Sequence, residues 1–154
     1  MVKFVAIDTS EVRALQAGGP DANGHPAERH IAGAGGTPCR HCFQQVAPGD
    51  PYLIVAHRPF PEPQPYAEQG PVFLHADACT PSPENGEIPK MLISPEYMIR
   101  GYSADNRIVY GTGTVVPTGE LTAAAEKIFE NQDVAYAHIR SAENNCYQCR
   151  VERG

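Results

Sequence analysis

Fifteen prolines and fourteen glycines in 154 residues limit what this chain can build more than any other property. Proline fixes φ and removes a backbone donor, and glycine terminates regular elements. The two residue types are clustered. Residues 59–71 hold five prolines and exclude any regular element there. Residues 17–27 hold three glycines, two prolines, an asparagine and an aspartate, the composition of a loop. Gly33–Pro38 and Pro81–Pro89 are further interruptions.

What remains between these breaks is short, and most of it carries strand character. Strands are expected at Lys3–Ile7, Arg29–Ala32, Tyr52–Ala56, Val72–Leu74, Tyr97–Tyr102, Arg107–Val116, Val134–Arg140 and Tyr147–Glu152. Asp105-Asn106 falls where a hairpin turn would join the fifth and sixth. Gly111 and Gly113 share a face of the sixth, where a bulge or a close neighbour is expected. Ser10 can cap one or two helical turns up to Gln16. One helix has a full pattern, near residues 118–130. Thr118 is its candidate cap, Leu121, Ala124, Ala125 and Ile128 form an apolar stripe, and Asn131 follows as a stop. The expected fold class is α+β, mainly antiparallel β, with a zinc-hairpin-like segment near residues 38–80. The length fits a single domain over residues 1–154.

Net charge is −6 and the arginines form no run. A nucleic-acid surface needs a concentrated positive field, so nucleic acid is not an expected partner. Met1–Ile7 lacks the apolar length of a signal peptide, and no apolar stretch reaches 18 residues, so no membrane partner is expected either. The default compartment is the cytosol. Five cysteines there suit metal ligation or redox chemistry better than a disulfide framework.

Their spacing narrows the chemistry. Cys39-x-x-Cys42 is the first half of a zinc knuckle, because two intervening residues let both thiolates fall on one side of a tight turn. Zinc takes four tetrahedral ligands, commonly cysteine sulfur and histidine nitrogen. His75-x-x-x-Cys79 can complete the set, and so can Cys146-x-x-Cys149. The chosen metal ligands are Cys39, Cys42, His75 and Cys79, which lie within 41 residues of one another. Cys146 and Cys149 border a strand, where alternation would turn them to opposite faces. Four protein ligands leave no open position, so the expected role of the zinc cofactor is structural. A redox dithiol is the weaker reading, because Cys39 precedes no helical stripe.

Outside the cysteines little points to catalysis. His138 shares a strand face with Tyr136 and Arg140, read as an exposed polar face. Glu62, Glu68 and Asp77 are read as solvated loop carboxylates. His57 and Arg58 end a strand without an identifiable partner. The glycine-rich stretches fit neither a P-loop nor a dinucleotide fingerprint. The alternative to a zinc-binding structural or interaction domain is a thiol-dependent enzyme or redox protein using Cys146 with His138. The partner class stays open between a protein and a small molecule, and so does the oligomeric state.

Pro38-Cys39-Arg40, Pro48-Gly49-Asp50, Pro65-Tyr66, Gly70-Pro71-Val72-Phe73, the Tyr102–Val116 hairpin and His138…Cys146-Tyr147…Arg150-Val151 together resemble domain-of-unknown-function family 1203. The resemblance runs from Pro38 to Arg153 and implies a small bacterial protein. In that family Cys39 and Cys146 have counterparts, whereas Cys42, His75 and Cys149 are often other residues. The resemblance therefore implies a metal site particular to this branch, with Cys39 near Cys146.

Overall fold

The computed structural model describes residues 1–154 and contains eight strands and two α-helices. In chain order these are β1 (Val2–Val5), α1 (Thr9–Gln16), β2 (Glu28–Ile31), β3 (Pro51–His57), β4 (Gly70–His75), β5 (Glu96–Tyr102), β6 (Thr114–Pro117), α2 (Leu121–Ile128), β7 (Tyr136–Ser141) and β8 (Tyr147–Arg153). All strand pairings are antiparallel. They form a five-stranded sheet ordered β1-β8-β7-β5-β6 and a three-stranded sheet ordered β2-β3-β4. The α+β, mainly antiparallel class read from the sequence is the class observed. No helix is long and apolar enough to cross a membrane.

Local chemistry moves several boundaries. Helix α1 starts at Thr9, not Ser10, because the Asp8 carboxylate takes the capping role and accepts from the Ser10 amide. The predicted helix at 118–130 divides into a 3-10 turn, Thr118–Glu120, and then α2, with Phe129 as its C-cap in place of Asn131. The strand expected over Arg107–Val116 shrinks to β6. Asn106 at φ 66° and Gly111 at φ 90° lie in the left-handed region and turn the chain, so ladder pairing with β5 resumes only at Thr114.

Each sheet has its own apolar core. Helix α2 lays Leu121, Ala125 and Ile128 on Ile99, Ala137, Ile139 and Val151 of the five-stranded sheet. Gly101 permits the close crossing, since a Cβ there would lie 3.0 Å from both Ile128 and Val134. Helix α1 lays Val12 and Leu15 on Leu53, Val55, Val72 and Leu74 of the other sheet. Each such apolar side chain contributes about 1.5–3 kcal/mol on burial. Tyr147 begins β8 yet packs in this second core, so it bridges the two sheets.

Strand β7 runs through the middle of its sheet and is covered on both faces, which corrects the reading of His138. Ala137 and Ile139 belong to the α2 core, while His138 is fully buried among aromatic rings on the opposite face. The ring centroids of Tyr102, Tyr147, Tyr136 and Phe60 lie 4.7, 4.9, 5.1 and 5.2 Å from its own. Glu68 is likewise paired and not simply solvated: it reaches Arg100 at 2.6 Å and Arg140 at 3.2 Å.

Burial, and then the nearby Arg40 charge, lower the His57 pKa from 6.5 to about 4. Burial and the surrounding cations push His138 well below its ordinary value. Both imidazoles take up a proton more readily in the unfolded chain. Their contribution to stability is therefore intact above about pH 6.5 and falls as the pH drops toward the folded-state values. For His57 the loss amounts to about 3 kcal/mol between pH 6.5 and pH 4. Urea denaturation in chelator, repeated across this range, should show stability declining with acid. The decline should be shallower in His57→Asn, and an equal slope in the variant would count against the assignment.

Candidate metal centre

Backbone geometry forms the first half of the site. Residues Pro38 and Gln45 form an isolated antiparallel bridge, and the Cys39 amide donates to the Gln44 carbonyl at 3.0 Å. The Phe43 amide returns to the Cys39 carbonyl at 3.1 Å, with Phe43 itself at φ 60°. This tight reversal carries both thiols of the C-x-x-C. It docks on β4 through a parallel bridge between Cys39 and Phe73, and the His75 amide points at Cys39 Sγ from 3.4 Å.

The second half follows β4. His75 ends that strand, and the next residues turn back under α1. Gln16 Nε2 donates to the carbonyls of His75 and Asp77, both at 2.9 Å, and Arg13 Nη2 donates to the Cys79 carbonyl at 2.7 Å. One face of α1 thus fixes the His75–Cys79 loop by its backbone.

Together these elements bring one ligand atom each from Cys39, Cys42, His75 and Cys79 within 4.8 Å of one another. Cys39 Sγ lies 4.0 Å from Cys79 Sγ, and Cys42 Sγ lies 3.4 Å from His75 Nδ1. Cys39 is fully buried and the other three are half-buried. A group of three thiols and an imidazole at this separation is able to hold a metal ion.

Three thiols in so small a volume couple strongly to one another. A hydrogen bond from the Cys42 thiol, assisted by backbone amides, lowers the Cys39 thiol to about 4. Cys42 is pushed far up by holding that hydrogen bond and by burial. Burial and the Cys39 charge raise Cys79 to about 11. The cluster accommodates one thiolate readily and resists the second and third, so ionising all three calls for a cation among them.

Cys146 and Cys149 are not part of this group. Cys149 lies in the core beside Ile139, where burial raises its thiol to about 12. Cys146 precedes β8, its sulfur 3.8 Å from the Asn144 carbonyl. Cys39 and Cys146, which the family resemblance brings near each other, both lie close enough to the buried Arg40 to act on its charge. The alternative Cys146–His138 pair is not formed, since His138 is enclosed by rings and neither of its nitrogens has a hydrogen-bond partner.

His41, inside the C-x-x-C, was not singled out by the sequence. It is fully buried, with Nδ1 3.0 Å from Cys79 Sγ and Nε2 2.9 Å from Thr9 Oγ1. Neighbouring Arg40 is also buried. Its Nε donates to the Tyr147 carbonyl at 2.9 Å and its Nη1 to the Pro38 carbonyl at 2.8 Å, tying the knuckle to β8.

No curated protein and no solved structure matches this chain. The profile of DUF1203, described as a protein of unknown function, matches residues 36–153, a span that includes the knuckle, both candidate ligand pairs and every strand from β3 to β8. By that match the chain belongs to the DUF1203 family.

Proposed function

We propose that Cys39, Cys42, His75 and Cys79 hold one zinc ion in a closed structural site, and that the protein is a zinc-stabilised binding or interaction domain. The carrying observation is the convergence of four ligand atoms within 4.8 Å from two segments that backbone contacts hold against each other. Tetrahedral zinc with bonds of about 2.3 Å to sulfur sets neighbouring sulfurs roughly 3.8 Å apart, close to the 4.0 Å between Cys39 and Cys79. Three soft thiolates and one imidazole favour zinc over magnesium or calcium, which select oxygen. With four protein ligands the ion has no position for a reacting water, so its role is to clamp the knuckle and the His75–Cys79 loop against α1.

His41 supports the site from outside. In the tautomer in which the Thr9 hydroxyl donates to Nε2, the proton resides on Nδ1 and is directed at Cys79 Sγ. A donor there steadies the metal-bound thiolate.

Metal analysis of the purified protein should give one zinc per chain. Cys79→Ser should lose most of it, while Cys149→Ser should retain it provided the variant folds; the opposite pattern would assign the metal to the C-terminal pair. Complete chelation should lower the melting midpoint by on the order of 10 °C, the shift expected for a loss of about 4 kcal/mol in a chain of this size. An unchanged midpoint would remove the structural role. His41→Ala should keep the one-to-one stoichiometry but bind zinc roughly ten- to a hundred-fold more weakly in a competition titration. Abolished binding would make His41 a ligand itself.

A further inference from the structure

A second feature lies apart from the metal ligands. Where the two sheets meet, a cleft of about 550 Å³ opens between α1, the loop after β3, and strands β7 and β8. That volume is in the range of small-molecule sites. His138 lines it, fully buried, and neither ring nitrogen has a partner within the protein. Burying an unpaired polar group costs about 1–3 kcal/mol. An apolar side chain among Tyr102, Tyr136, Tyr147 and Phe60 would avoid that cost, so the imidazole calls for a polar partner from outside the protein, and the cleft is the route to it.

Two arginines from different elements line the same space. Arg58, in the loop after β3, is anchored through Nε to the Phe60 carbonyl at 3.2 Å. Arg150, on β8, is anchored through Nε to Glu152 at 2.7 Å and lies 3.8 Å over the Tyr136 ring. Each is held in orientation while its Nη groups make no hydrogen bond to the protein. Two acids line the same cleft, and Arg150 is ion-paired with Glu152, but neither cleft acid contacts the Nη groups. Asp21 is spent on the amides of Asn23, His25 and Ala56, and Glu11 faces His57 Nδ1 at 3.6 Å. Behind His138, Arg100 and Arg140 share Glu68 alone, with Arg140 Nε and Nη2 buried and unpartnered.

We propose that this cleft binds a small organic carboxylate, held by Arg58 and Arg150, with His138 hydrogen-bonding a polar atom deeper in the ligand and Phe60, Leu15 and Tyr147 contacting its carbon body. Planar guanidinium forks match a carboxylate bidentately. A phosphate is the poorer fit, because phosphate cradles draw on runs of backbone amides and the cleft's loops carry Pro20, Pro59 and Pro61, which have none. With its pKa far below 6.5, His138 is neutral and offers one donor and one acceptor to the ligand. This reading is independent of the metal site.

The test uses the full chain with its metal as purified, titrated by NMR with benzoate, hexanoate, benzamide and inorganic phosphate. The expected result is saturable binding of at least one carboxylate, with shifts at Arg58, Phe60 and His138. Benzamide and phosphate should bind at least about tenfold more weakly than that carboxylate. Arg58→Gln, in a loop outside the ladders, should leave the melting midpoint unchanged and weaken the carboxylate about tenfold or more; Arg150→Gln should do the same to affinity. Absence of saturable carboxylate binding, a preference for phosphate, equal affinity for benzoate and benzamide, or undiminished affinity in folded Arg58→Gln would each overturn the proposal.

Discussion

The arrangement depends on one buried cation. Arg40 is 3% exposed and has no carboxylate beside it, a placement that is costly unless carbonyl oxygens replace the lost water. Its guanidinium bonds to the carbonyls of Tyr147 and Pro38 and lies 5.8 Å over the Phe73 ring. Its own amide donates to the Phe73 carbonyl, and its carbonyl accepts from the Ile7 amide. One residue therefore joins the knuckle to β4, to β8 and to the segment after β1. The sheets have separate cores, and this polar joint, together with Tyr147, fixes how one lies against the other.

That joint separates two kinds of chemistry. On one side three thiols and an imidazole share a small volume, where charge is tolerated only one thiolate at a time without a cation. On the other, cationic side chains crowd a neutral imidazole whose nitrogens are unpaired. Cys39 and Tyr147, which belong to these two neighbourhoods, pack in the same apolar cluster. The thiol cluster and the wall of the cleft thus share one packed apolar layer.

The strands were legible because β-branched and aromatic runs lay between proline and glycine breaks, as in Tyr52–Ala56. The Cys/His group was legible as spacing, since C-x-x-C and H-x-x-x-C each place two ligands on one side of a turn. His41 was not, because a residue between two cysteines reads as a spacer. Only the left-handed turn at Phe43 and the position of Cys79 direct its ring to a sulfur. The buried state of His138 was hidden for a related reason. Alternation identifies which residues share a face, but both faces of β7 are covered, and that follows from strand order. The hairpin at Arg107–Val116 failed locally, where Asn106 and Gly111 turn the chain before pairing resumes.

The distance in sequence between the two ligand pairs also orders events in time. Thirty-two residues separate Cys42 from His75, and the two meet only once β3 and β4 have paired in register. During synthesis at about 5–20 residues per second, Cys79 follows Cys42 by roughly 2–7 s. Through that interval the knuckle is a two-thiol chelator, open to exchange and to oxidation. A metal held by all four ligands would be captured durably only when the hairpin delivers the second pair, which would make its retention a late step in the maturation of the nascent chain.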